Sequence, residues 1–249
     1  MQKSSNPTFK QSLFSDVPTT KKSTMTVSGT YVKTLLLTTI VIASAASSWW
    51  WMQDSITSSD IRWWPLWLTS LIAFFVGMVI TFNPKKAPVL SIPYAIIQGA
   101  FLGVVSGTFA ESFEGIVGQA VFLTLAVFLA VYVGYALGLL RATETFARIL
   151  ITALLGILMF SMLSWVFSLF GFASPVVYGY GTWGIVFSVL VVLVAAMSLV
   201  LDFDFIDKAV ENKLPKYFEW YGAFGLMVGL IWLYIQILQL LAKFAASSR

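Results

Sequence analysis

The chain has 249 residues, of which 59% are hydrophobic and only 10% charged, and its formal net charge is +4. That balance is too apolar for a water-facing surface and leaves no length for a separate soluble catalytic domain. With no cysteine and no histidine, disulfides, thiolate metal sites and cysteine nucleophiles are excluded, and proton sensing near neutral pH would have to use carboxylates.

Residues 1–30 are rich in Ser, Thr and Lys and read as a flexible cytoplasmic tail. Seven apolar runs follow, at 31–52, 62–82, 88–109, 115–140, 148–171, 183–205 and 217–242. Each reaches the roughly 20 residues needed to cross hydrocarbon. The pattern predicts an all-α, polytopic membrane protein with a transmembrane domain over 31–243 and a short outside tail, 244–249. Ala43-Ser44-Ala45 resembles a signal-peptide cleavage site, but the run before it starts far from residue 1 and continues into Trp49-Trp50-Trp51.

Orientation follows from the basic residues. With seven spans, the tail and the even-numbered loops carry Lys33, Lys85, Arg141, Lys208 and most other cations, while the opposite side holds only Arg62, Lys243 and Arg249. The N-terminus is therefore expected in the cytoplasm and the C-terminus outside. The basic excess lies in tail and loops, which argues against nucleic acid as a partner. Trp49–Trp51, Trp63, Trp64 and Trp183 would form the outer aromatic belt, and Tyr217, Trp220 and Tyr221 the inner one.

In lipid, helices approach through small residues. Gly99, Gly103 and Gly107 form such a stripe on the third span, and Gly134 with Gly138 repeats the spacing on the fourth. On the seventh span Glu219, Gly222, Gly225, Gly229, Trp232 and Gln236 share one face. Close approach explains the glycines; Glu219 and Gln236 carry a desolvation cost that apolar residues would not.

The sixth run ends in Leu201-Asp202-Phe203-Asp204-Phe205-Ile206-Asp207. Asp202 and Asp204 lie about 200° apart around a helix, so they cannot face one partner. Asp204, Asp207, Lys208 and Glu211 read as a solvated helix end, which turns Asp202 toward the bundle, where a carboxylate or amide of the seventh span could meet it. Two close carboxylates would share a proton and could convert proton concentration into a change of packing. They would also suit a hard cation, so Asp202 is a candidate calcium contact, although no full metal-ligand set is legible.

Several strings carry a resemblance: Leu201-Asp-Phe-Asp-Phe-Ile206, Pro215-Lys-Tyr-Phe-Glu-Trp-Tyr-Gly-Ala-Phe-Gly225 and Trp232-Leu-Tyr. Met25-Thr-Val-Ser-Gly-Thr-Tyr-Val-Lys-Thr34, Tyr94-Ala-Ile-Ile-Gln-Gly99, Phe101-Leu-Gly103 and Gly184-Ile-Val-Phe-Ser188 add to it. Over residues 25–243 the chain resembles the bacterial branch of the Bax inhibitor-1/YccA family. The resemblance implies six helices around a central seventh, in a bacterial inner membrane. It also implies a pH-sensitive calcium leak channel in which aspartates on the sixth and seventh helices sense protons. Asp202 matches the sixth-helix aspartate. The seventh-helix position falls near Gly229, with Glu219 the nearest acid in that helix. Gln98, Gln236 and Gln239 stand where relatives carry charged residues.

The sequence thus points to a cation leak, calcium the expected ion, gated by protonation of interior carboxylates, with Asp202, Glu219, Asp204, Gln236 and Gln98 as the sensor and ion-pathway candidates. Partners are then the lipid bilayer and calcium itself, without a cofactor. The alternative, which the resemblance also implies, is a regulatory membrane protein that binds or modulates a membrane-bound quality-control protease or stress-response partner, for which the tail would serve. An intramembrane hydrolase is disfavoured, because no histidine, cysteine or second matched aspartate supplies a catalytic pair; no enzyme is expected.

Overall fold

The computed structural model describes residues 24–56, 64–172, 174, 176 and 179–248. Seven α-helices occur among them: α1 Val27–Ile56, α2 Trp64–Phe82, α3 Ala87–Ser112, α4 Ile116–Ala136, α5 Glu144–Leu169, α6 Thr182–Glu211 and α7 Phe218–Ser247. A single 3-10 turn, Pro84–Lys86, joins α2 to α3. The described residues contain no strand, only an isolated antiparallel bridge between Thr24 and Pro215.

Among the described residues six helices are long and apolar enough to cross a membrane: α1, α3 with the turn before it, α4, α5, α6 and α7. Leu68–Phe82 of α2 is a shorter apolar helix. Large apolar side chains such as Phe122, Leu35 and Phe74 are exposed. A soluble protein would not leave so many uncovered, and lipid is the solvent that tolerates them. Half of the most apolar window of α7 is buried inside the protein (50%), against 11% for α5, so α7 is the most enclosed of these helices and α5 the most lipid-facing.

The chain divides into two compact units, and α6 and α7 each contribute to both. The first contains the chain up to Val105 with Asp204–Met227. Here α1 and α3 approach closely: a side-chain carbon on Gly99 would overlap the Val41 carbonyl, and one on Gly103 the Ala45 carbonyl and Ser48 Oγ. Ser44 and Ser48 of α1 donate to the Ile96 and Ala100 carbonyls of α3, at 2.7 and 3.0 Å. This is small-residue packing supplemented by hydroxyl bonds. On the α2 side, Gly77 admits the Tyr94 ring, which meets Phe224 edge-on at 5.0 Å.

The second unit contains Ser106–Phe203 and Val228–Arg249. Its core residue is Phe203, fully buried and contacted by Phe128, Tyr132 and Tyr135 of α4 at 5.5–5.9 Å between ring centroids. Ser106 and Tyr234 share a hydrogen bond of 2.7 Å, and the Lys243 ammonium donates to the Gly184 carbonyl at 3.2 Å.

Three sequence-based expectations are corrected. Residues 24–30 do not belong to a tail: Met25 and Thr30 are buried and α1 starts at Val27. The Thr26 hydroxyl accepts from Gly29 N at 3.0 Å and caps the helix. The polar first turn Val-Ser-Gly-Thr hid that start from an apolar pattern. Residues 1–23 lie outside the described residues. At the other end, α7 runs to Ser247, so most of 244–249 is helix. Finally, Gly134 and Gly138 make no packing seam. Gly138 has φ +71° just beyond α4, and the Leu139 and Leu140 amides donate to the Gly134 carbonyl, which closes the helix end.

Candidate functional site

Glu219 opens α7 and is 1% exposed. One carboxylate oxygen accepts from the Thr26 amide at 3.1 Å and from the Thr26 hydroxyl at 2.9 Å. The other forms an ion pair with the Lys33 ammonium. Every donor comes from α1 or the residue just before it. Lys33 also lies over the Trp220 ring, 5.5 Å from its centroid. The acid stands in the first turn of α7 and receives an amide from the start of α1, so two helix N-termini favour its negative charge. Gly29 makes this possible, since a side-chain carbon there would meet Glu219 Oε1 at 2.5 Å.

Asp202 presents the opposite arrangement. It is half-buried on α6, and among the described residues its carboxylate has no hydrogen-bond or ion-pair partner. It faces Gly229 of α7: a side-chain carbon on Gly229 would lie 3.0 Å from Asp202 Oδ2 and 3.0 Å from Leu199 Cδ2. The missing side chain of Gly229 is therefore the space the carboxylate uses. A carboxylate kept in an apolar helix without a partner is costly, and such residues mark ion paths and proton relays.

The other sequence candidates disperse. Asp204, half-buried, pairs with Lys208 one turn on at 2.6 Å. The Gln98 amide donates to the Tyr94 hydroxyl at 3.0 Å. Gln236 is half-buried and has no polar partner among the described residues. Gly222 packs against Ile206, Thr30 and Met25, whereas Gly107 is buried and Gly225 half-buried. Glu219 and Gly229 are ten residues apart on one helix, about 15 Å of rise, so the α7 position facing Asp202 is the glycine and not the acid. Among the described residues no three Asp or Glu gather into a metal-binding group.

The sequence model of a family described as Bax inhibitor 1 like matches residues 6–246. The chain belongs to the Bax inhibitor 1-like family. No curated protein and no solved structure matches it. As a Bax inhibitor 1-like chain it is an integral, multi-pass membrane protein.

Sequence reasoning missed Lys33 and Thr26 as partners of Glu219, and Gly29 as the residue that admits the carboxylate. The signal lay in Met25–Thr34, a polar and aromatic string at the mouth of an apolar span, with a lysine one turn inside it. A lysine there needs either snorkelling or a counter-ion, and Glu219 is that counter-ion.

Proposed function

We propose that this Bax inhibitor 1-like protein is a passive leak pathway for cations, calcium foremost, with protonation of Asp202 controlling conduction. One observation carries the reading: a carboxylate in a membrane-crossing helix, half-buried against a glycine and without a polar partner among the described residues. Ionised, it would offer oxygen ligands to a hard cation that sheds part of its hydration. Protonated, it would lose that attraction. Calcium is the cargo in this reading, contacted by Asp202, with Gln236 a further polar group on α7 about two turns from Gly229. The protein is neither an enzyme nor dependent on a cofactor.

The same reading takes Trp64–Phe82 as the seventh span and α7 as the central helix. It places the N-terminus in the cytoplasm and the C-terminus outside a bacterial inner membrane, following the distribution of Lys and Arg. The test is calcium release from dye-loaded proteoliposomes. Release well above that of protein-free vesicles, changing with pH, is the expected result. Release equal to protein-free vesicles at every pH would discard the leak. It would favour the regulatory alternative, in which the protein modulates a membrane-bound protease.

A further inference from the structure

Residues 24–33 and 214–222 are joined by three kinds of contact. The Met25 amide donates to the Leu214 carbonyl at 2.7 Å, beside the Thr24–Pro215 bridge. Met25 and Thr30 pack on Gly222, one turn beyond Glu219. Between these lies the Glu219 carboxylate, both of its oxygens engaged by Thr26 and Lys33.

We propose that Glu219 is the keeper of a latch that closes the start of α1 onto the start of α7, shut while the Lys33–Glu219 pair is intact and open when it is broken. Gly29 and Gly222 strip side-chain bulk from both faces, and Lys33–Glu219 is the one ion pair across the seam among the described residues. Removing Lys33 leaves Glu219 as a buried, uncompensated charge, and removing Glu219 leaves the half-buried Lys33 ammonium without its counter-ion; either drives separation of the two segments until water reaches the stranded group. Opening exposes Met25 and Thr30 and frees the first turn of α7, whereas α1 beyond Lys33 stays held by its serine bonds to α3. The latch concerns Glu219 alone and stands whether or not the protein conducts ions.

The chain contains no cysteine, so single reporters are clean. Met25→Cys is placed in the full-length protein in vesicles, with Ala195→Cys, a buried position of α6 in the other unit, as the control. Reaction with a water-soluble maleimide should be slow at both. Adding Glu219→Gln should speed labelling at Met25→Cys at least about tenfold and leave Ala195→Cys unchanged. Lys33→Met should do the same, whereas Lys33→Arg, which keeps a cation opposite Glu219, should keep protection. Three outcomes overturn the latch: unchanged labelling at Met25→Cys, equal acceleration at both cysteines, or acceleration by Lys33→Arg equal to that by Lys33→Met.

Discussion

Two carboxylates in apolar helices meet opposite fates in this protein. Glu219 is almost fully enclosed, and every oxygen is answered by a donor from one short stretch of chain. Asp202 is less enclosed, yet nothing among the described residues answers it, and a glycine stands where a partner could. The contrast separates two uses of charge in a membrane protein. A paired carboxylate is held in place by its donors and fixes the geometry of two helix ends. An unpaired one contributes nothing to the fold that an amide of the same shape would not, so its presence calls for a role outside stability.

The sharpest break in that comparison is Lys33→Met. It strands a buried carboxylate, and the protein should lose about 3–5 kcal/mol, read as a lower unfolding midpoint in detergent. Gly29→Ala acts on the same cluster by sterics, since the new carbon meets the Glu219 carboxylate; a loss of roughly 1–3 kcal/mol is expected by the same assay. Gly229→Ala tests the other region. The neighbours are an unrestrained carboxylate and a leucine methyl at 3.0 Å, both able to yield, so the loss should be nearer 1 kcal/mol.

Smaller still is Lys213→Gly. Lys213 adopts φ +53° at the end of α6, a left-handed conformation that favours glycine, so the change should raise stability by about 0.5–1 kcal/mol. Asp202→Asn should have the least effect on folding, within about 0.5 kcal/mol, because no hydrogen bond or ion pair is lost. A large loss in that variant would show that Asp202 is paired after all and would collapse the contrast with Glu219.

The apolar runs made the helices legible, since length and hydropathy alone decide which segments can cross a bilayer. The Gly99 and Gly103 seam was legible for a similar reason: the spacing puts both on one face, and close approach needs nothing else. Helix ends were not. Val27–Thr30 is polar and α1 begins there because Thr26 caps it, while Gly138 sits at a helical spacing from Gly134 but terminates α4. For the site, helix geometry put Asp204 and Asp202 on different sides of α6, and the two have different surroundings: Asp204 pairs with Lys208 while Asp202 faces Gly229. The partners of Glu219 did not follow, because Lys33 and Thr26 are separated from it by 186 and 193 residues and no periodicity reports such a pairing.

The central claim is that Asp202 is kept for its charge and not for its contacts. The most direct test is the pH profile of calcium release from proteoliposomes holding Asp202→Asn, measured beside the native protein between roughly pH 5 and 8. A folded variant whose release no longer changes with pH is the predicted result, since an amide cannot titrate. A variant that keeps the native profile would contradict the account and remove Asp202 from the proposed gating.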